Sequence, residues 1–458
     1  MSTAAATPFE GYARAPWSIR WTGGKVYPVG RWRLYALVFF ASTLSCTVTL
    51  KVGEIQYIEL IFGLDFLFLV LAVLLRRSKL NIFKPFLQIA KTYAVFLAAA
   101  FILSLVALQQ GFASPHLTAL KSPVIVTLSR MGELLLDVFY MLYLASIFRA
   151  DLKLCRFGTL TYFWTGIAGC LYSFVTYPLN VIAGLQLGTY LDIHRMRGFN
   201  NEGGGFGLYL LSVILLAFVM YRRQWLSRRL FLVGILILLA GLAGSASKSA
   251  VFAVPMLGMI SFAWFGTGWR RWALFGGLTV ATIAFGSLVN IGQQIDMYRQ
   301  ASARYQELSN LKSQDGNFVM GRVAGAVLAP RMIAAHPLVG IGWGNYPLVR
   351  DNPEYRQGSA FEIGTTDAPS LSVIDYIVEL GFPLWLYLIW AEVKPVVMLR
   401  RLGADVWIVA LALVQPVSNW AGAHLNLMHP WIIAAFALGL AYNSRSTAGL
   451  QPTIEPQR

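Results

Sequence analysis

The segment 317–347 contains the residues with the clearest chemical capacity in the sequence. Arg322, Arg331 and His336 lie on a run of small and aliphatic residues that is typical of a helix. Histidine can accept a proton near neutral pH, and arginine binds phosphate through a planar fork of donors. The segment therefore predicts a proton acceptor beside anion-binding groups. The alternative is an amphipathic helix on a membrane surface, whose arginines face lipid phosphates.

The residues after His336 predict an abrupt turn. Pro337 disfavours the helical conformation in the residue before it, and Gly340 and Gly342 allow a tight turn or close approach to a ligand. Asn345 and Tyr346, at the end of the turn, either shape this loop or contact a substrate.

The distance between Arg322 and His336 limits what the two residues can do together. On one straight helix they would lie about 21 Å apart, at about 1.5 Å per residue. We therefore expect either that the chain bends at Pro330 or that the two residues hold different parts of one substrate.

Two other cationic stretches predict anion binding. Arg195 and Arg197 precede a glycine-rich run that opens a helix, where free backbone N–H groups suit phosphate. Lys248 lies between two apolar segments and has a serine on each side. The alternatives are solvated arginines in a loop and a lysine that extends to lipid headgroups.

Together these groups indicate group transfer from a lipid-linked phosphate donor. A histidine would activate an acceptor hydroxyl, and the cations would stabilise the departing pyrophosphate. The carboxylates of this part of the sequence are dispersed and suggest no divalent-metal site. We expect neither a metal nor another cofactor.

The composition predicts an integral membrane protein. Hydrophobic residues make up 57% of the 458 residues and charged residues 13%, against about a quarter in soluble domains. The three cysteines lie in or beside apolar segments, and their spacing suits neither disulfides nor a metal site.

A bilayer span needs roughly 20 apolar residues. We predict an all-α membrane protein with about twelve transmembrane helices and one long periplasmic loop that contains helices. The predicted spans are near 33–50, 56–75, 85–108, 131–148, 157–185, 204–221, 229–245, 249–267, 272–290, 371–393, 404–421 and 429–443. The chain then divides into a tail (1–32), nine helices (33–290), the loop with the catalytic motif (291–370), three helices (371–443) and a tail (444–458).

Basic residues follow every second predicted span, as at Arg149, Arg222 and Arg400. By the positive-inside rule both termini and these connections face the cytoplasm. Much of the net charge of +16 is thus explained by topology, and we do not expect nucleic acid as a partner. The N-terminus lacks the pattern of a cleaved signal peptide, so the first span is predicted to remain as an anchor.

The run from Arg322 through His336-Pro337 to Gly340, Gly342, Asn345 and Tyr346 resembles the signature of the O-antigen ligase family and its polymerase relatives. Supporting similarities are Arg197-Gly198-Phe199-Asn200-Asn201, Ser247-Lys248-Ser249 and Glu379-Leu380-Gly381.

This resemblance implies a metal-independent, inverting glycosyltransferase of the bacterial inner membrane with its active site facing the periplasm. The donor would be an undecaprenyl-diphosphate-linked glycan and the acceptor lipid A–core, within lipopolysaccharide biosynthesis. His336 would be the general base, and Arg322 and Arg197 would bind the diphosphate. Lys248, Arg195 and Arg331 are further candidates for that role.

Two alternatives remain from the sequence. One is an O-antigen polymerase or protein O-glycosyltransferase of the same family. The other is a transporter or flippase for polyprenyl-linked glycans, which Asp65 and Asp137 inside predicted spans keep open.

Overall fold

The computed structural model is almost entirely helical over the residues that it describes. These are 29–47, 51–52, 55–75, 82–109, 122–183, 187–190, 195–200, 203–247, 249–250, 253–254, 257, 324–349, 352–356, 372–420 and 427–448. The first seven helices are α1 (Val29–Leu44), α2 (Tyr57–Leu74), α3 (Leu87–Leu108), α4 (Pro123–Ala150), α5 (Leu152–Ala183), α6 (Gly203–Arg222) and α7 (Arg228–Ser245).

Six further helices follow residue 323: α8 (Ala324–Ala335), α9 (Tyr346–Val349), α10 (Pro353–Arg356), α11 (Ser372–Arg401), α12 (Val406–Trp420) and α13 (Met428–Ala448). A 3-10 helix, Lys84–Phe86, precedes α3. Two short antiparallel hairpins join helices, β1 (Lys51–Val52) with β2 (Ile55–Gln56), and β3 (Thr189–Tyr190) with β4 (Arg195–Met196).

Seven of the described helical segments are long and apolar enough to cross a membrane. They are Tyr57–Leu74, Lys84–Leu108, Pro123–Ala150, Leu152–Ala183, Gly203–Arg222, Arg228–Ser245 and Asp375–Arg401, and Val406–Trp420 is a shorter apolar helix. Their lengths agree with the span-length rule. The protein is therefore an all-α, multi-pass membrane protein, as predicted.

The sequence pattern located these helices well. Each predicted span from 33–50 to 229–245, and from 371–393 to 429–443, overlaps a described helix. The predicted spans at 249–267 and 272–290 lie almost wholly outside the described residues, as does most of the loop 291–370. The total of twelve spans and the domain limits stay predictions.

Small residues allow the spanning helices to pack closely. Gly158 on α5 lies against Val38 of α1 and Phe436 of α13, and a Cβ at this position would be 2.6 Å from the Val38 side chain. Close approach through glycine is typical of helices in lipid, where packing drives association. Leu64, Leu67 and Leu71 of α2, by contrast, are exposed on the outside of the bundle.

Asp65 has a structural role, although its position inside a predicted span had left a transporter as an alternative. Its carboxylate accepts hydrogen bonds from the Arg33 guanidinium at 2.8 Å and from the Tyr140 hydroxyl at 3.0 Å. The charge is therefore paired within the bundle, as an ionisable group at membrane depth requires.

Substitution of Gly158 by valine is expected to lower the apparent unfolding temperature of the detergent-purified protein. The added side chain would overlap Val38 and Phe436, and such overpacking typically costs about 1–3 kcal/mol. Gly63→Val is the control, because nothing lies within 4 Å of a Cβ at Gly63. Equal unfolding temperatures for the two variants would contradict this packing.

Candidate active site

His336 lies immediately after the C-terminus of α8. Its backbone N–H donates to the Met332 carbonyl at 2.9 Å, and its own carbonyl accepts from the Gly340 N–H at 3.1 Å. Pro337 follows, so the chain leaves the helix at the predicted position. The side chain of His336 is partly exposed, as a group that meets a substrate must be.

Tyr355 of α10 connects His336 with Arg331. The Tyr355 hydroxyl lies 2.9 Å from Nε2 of His336, and the Tyr355 carbonyl accepts a hydrogen bond from the Arg331 guanidinium at 2.8 Å. Tyr355 is itself buried. Burial, and then the neighbouring charge of Glu354, raise the pKa of the Tyr355 hydroxyl. The Tyr355 hydroxyl therefore keeps its proton, and its hydrogen bond with Nε2 fixes the orientation of the imidazole ring.

The turn that follows His336 forms backbone hydrogen bonds with α11 at a break in that helix. Gly381 has a φ of +70°, so the helix is interrupted there and upstream carbonyls lose their helical partners. The Ile341 N–H donates to the Val378 carbonyl and the Gly342 N–H to the Glu379 carbonyl, each at 3.0 Å. In return, the Phe382 N–H donates to the Pro337 carbonyl at 2.9 Å. The loop thus satisfies backbone groups that would otherwise be unpaired.

Two glycines make this backbone contact possible. Gly340 has a φ of +69°, and a Cβ there would collide with the carbonyl of Glu379. A Cβ at Gly381 would in turn collide with the carbonyl of Leu338. Both positions therefore require glycine for conformation and for space.

The Glu379 side chain and a buried asparagine hold the rest of the turn. The Glu379 carboxylate accepts a hydrogen bond from the backbone N–H of Tyr346 at 3.1 Å, at the start of α9. Asn345 is fully buried and donates to the Ile341 carbonyl at 3.3 Å. Gly340, Gly342, Asn345 and Tyr346 are all buried, so in this structure they shape the loop.

Helices α3 and α4 also hold the turn, through contacts with Trp343. The Trp343 N–H donates to the Ser104 hydroxyl at 3.0 Å, and the Thr127 hydroxyl donates to the Trp343 carbonyl at 2.8 Å. Phe96 packs edge-on against the Trp343 ring. Ser104, Thr127 and Tyr355 were not found from the sequence, because a single polar residue in an apolar helix or loop has no pattern that identifies its partner.

The second predicted cluster forms around the start of α6. Arg195 donates from Nε to the Ser245 carbonyl at 3.0 Å, and Arg197 donates to the Leu187 carbonyl at 3.2 Å. The Ser247 hydroxyl donates to the Gly204 carbonyl at 3.0 Å. The structure therefore brings the arginine motif beside the serine that precedes Lys248.

Asn200 lies at the same helix start and is 1% exposed. Neither its side-chain nitrogen nor its oxygen has a hydrogen-bond partner in the part of the chain that is described. Arg322 and Lys248 lie outside the described residues, as does His194. The hydrogen bonds described above for Arg195 and Arg197 involve the elements from α5 to α7, whereas those described for His336 involve α8 and α10.

The sequence resemblance rested in part on the His-Pro-glycine turn and on Glu379-Leu380-Gly381, and the structure brings these two motifs into backbone contact. Residues 233–389 match the family model described as O-Antigen ligase. This segment is an O-antigen ligase family domain. It includes most of α7, all of α8, the turn after His336 and the first part of α11, but not Arg195 or Arg197. No curated protein matches the chain significantly.

Membership of this domain family supports a general function. O-antigen ligase family proteins are glycosyltransferase-like ligases and polymerases, and the family implies lipid-linked glycan substrates. Within the described residues, no group of three or more histidine, cysteine or acidic side chains is arranged to hold a metal. The absence of a metal from the reaction stays a prediction.

Gly340→Ala is expected to disrupt the turn more strongly than Gly403→Ala does elsewhere. Both glycines have similar positive φ values, +69° and +66°, so both substitutions carry a backbone penalty of about 1–2 kcal/mol. Only at Gly340 does the methyl group also collide with the α11 backbone, because nothing lies within 4 Å of a Cβ at Gly403. Thermal unfolding and limited proteolysis would measure the difference, and equal behaviour would show that the contact with α11 contributes nothing.

Proposed function

We propose that the protein is an O-antigen ligase that moves a polysaccharide from undecaprenyl diphosphate to lipid A–core, inverts the anomeric centre and needs no metal. One observation carries this proposal: a partly exposed histidine is fixed by Tyr355 beside Arg331, within a domain of the O-antigen ligase family. The arrangement supplies a base and a cation to a reaction that needs both.

In the proposed reaction His336 removes the proton of the acceptor hydroxyl. The hydroxyl oxygen forms a bond to the anomeric carbon of the donor, and the bond from that carbon to the diphosphate oxygen breaks. The electron pair leaves with the diphosphate, and arginine stabilises the developing charge. Arg322 and Arg197 are proposed as the main diphosphate ligands.

Arg195, Arg331 and Lys248 are proposed as additional diphosphate-binding residues. Arg195 is held against the end of α7, and Arg331 against α10, so neither cation needs to be ordered when substrate binds. Preordered donors stabilise a transition state without reorganisation. Asn200, buried without a partner among the described residues, is suited to complete the α6 cluster.

The position of the turn supports an active site on the periplasmic face of the inner membrane. Trp343 contacts Ser104 near the C-terminus of α3 and Thr127 near the N-terminus of α4. The basic residue Arg149 lies at the opposite end of α4. Since basic connections face the cytoplasm, His336 would then face the periplasm.

A transfer assay with purified protein in detergent tests this proposal. Undecaprenyl-diphosphate glycan is supplied with EDTA, and lipid A–core or a second carrier-linked glycan is offered as acceptor. We expect transfer to lipid A–core, with a loss of at least about a hundredfold in His336→Ala because general-base catalysis contributes that much. Growth on the second carrier would indicate a polymerase, and full activity of His336→Ala would remove this residue from the chemistry.

Tyr355→Phe separates the positioning of His336 from its chemistry. The variant keeps the ring packing and loses one hydrogen bond, whose net value of about 0.5–1.5 kcal/mol corresponds to roughly two- to tenfold. We expect kcat to fall by up to that factor with KM unchanged, and the unfolding temperature to decrease only slightly, because one hydrogen bond contributes little to the stability of a protein of 458 residues. A change in the unfolding temperature with kcat preserved would mean that Tyr355 only stabilises the loop.

A further inference from the structure

A cavity of about 250 Å³ opens between α2, α4 and the start of α13. Its wall consists of Glu59, Ser129, Gly132, Glu133, Leu136, Asp137 and Met428. The residues from α4 are spaced at helical intervals, so one face of this helix lines the cavity over about 12 Å. None of these residues belongs to the histidine and arginine clusters described above.

Asp137 is the buried acidic residue in the wall of the cavity. It is 3% exposed, and its Oδ2 has no hydrogen-bond partner within the described parts of the chain. A buried oxygen without a partner is costly, because it has lost water and gained nothing in return. A ligand that donates a hydrogen bond would remove this penalty.

The other carboxylates in the wall already have partners. Glu133 forms an ion pair with Arg130 at 3.1 Å, and Glu59 accepts a hydrogen bond from the Gln56 N–H at 2.9 Å. Carboxyl oxygens accept hydrogen bonds from hydroxyl groups, and acidic side chains are poor partners for phosphate. The cavity therefore suits a ligand that is rich in hydroxyl donors and carries no negative charge.

The size of the cavity and the apolar part of its wall further limit the class of ligand. Drug-sized ligands occupy pockets of roughly 300–1,000 Å³, so this cavity is suited to one small ring and not to a long glycan. Leu136 and Met428 add apolar wall that can cover the C–H face of a sugar ring. The combination of acceptor oxygens and an apolar surface matches a single saccharide unit.

Arg130 connects the cavity with the turn that follows His336. Its guanidinium pairs with Glu133 in the cavity wall, and its Cγ lies 2.9 Å from the position of a Cβ at Gly344. A sugar in the cavity would thus lie beside the loop that orients the proposed base.

We propose that this cavity binds one sugar unit of a glycan substrate through the carboxylates of Asp137 and Glu133. The inference rests on the proposed function, because it takes a glycan as substrate. The sugar could come from the acceptor or from the lipid-linked donor, and the two sources present the same hydroxyl chemistry.

Gly132→Leu tests the proposal by filling the cavity. Nothing lies within 4 Å of a Cβ at Gly132, so the larger side chain enters open space in the cavity wall. Gly63→Leu is the matched control, since a Cβ at Gly63, on α2 and outside the cavity wall, also meets nothing within 4 Å. Equal unfolding temperatures of the two variants would verify that the fold is intact.

The measurement is the affinity of purified full-length protein for two probes. One is soluble core oligosaccharide released from lipopolysaccharide by mild acid, and the other is undecaprenyl-diphosphate glycan in detergent. We expect Gly132→Leu to weaken binding of one probe at least about tenfold, while Gly63→Leu binds as wild type does. Weaker binding of the core oligosaccharide would identify the bound unit as an acceptor sugar. Weaker binding of the undecaprenyl-diphosphate glycan would identify it as a donor sugar.

Asp137→Asn gives a second readout, because it keeps the shape of the cavity and replaces the unpartnered carboxyl oxygen by an amide group. We expect this variant to lose about tenfold in affinity for the same probe, the scale of one hydrogen bond. The proposal is overturned if wild type binds neither probe, or if both cavity variants bind both probes normally. If His336→Ala binds the probes as wild type does, and wild type transfers no glycan, the ligase reaction is rejected and the sugar site is retained.

Discussion

The structure of the candidate site depends on one exchange of backbone hydrogen bonds. The break of α11 at Gly381 exposes carbonyls inside a membrane helix, where an unpaired polar group costs several kcal/mol. The N–H groups of Ile341 and Gly342 satisfy those carbonyls, and the Phe382 N–H returns a bond to the loop. Neither the broken helix nor the turn satisfies its backbone alone, so each stabilises the other.

This exchange fixes the position of His336 from its C-terminal side, while α8 fixes it from the N-terminal side. A side chain held between two rigid segments keeps one orientation, which is what a base needs in order to meet an acceptor hydroxyl. The hydroxyl of Tyr355 then sets the rotation of the imidazole ring. Few side chains thus carry the proposed chemistry of the site, and many backbone contacts hold these side chains in position.

Helix α4 links the separate parts of the outer end of the bundle. Thr127 holds the turn, Arg130 contacts both the turn and the acidic cavity wall, and Asp137 belongs to that wall. On the other side α4 packs along α13, where Phe148 stacks on Phe436. A buried helix with polar residues on one face can therefore hold the turn after His336 and the proposed sugar cavity in a fixed relation.

The sequence by itself determined the class of protein and most helix positions. Long apolar runs can bury their backbone in lipid only as helices, so composition and length suffice to locate spans. The sequence also predicted the end of α8 before Pro337 and the need for glycine at Gly340, because these are local conformational effects. The tertiary structure decided which distant groups meet: Gly340 with Gly381, Arg195 with Ser245, and His336 with Tyr355. Such pairs are separated by tens of residues and depend on how helices pack, which no local pattern encodes. The acidic cavity also depends on the tertiary structure, because Glu59 and Asp137 lie on different helices and only the packing of these helices encloses a space.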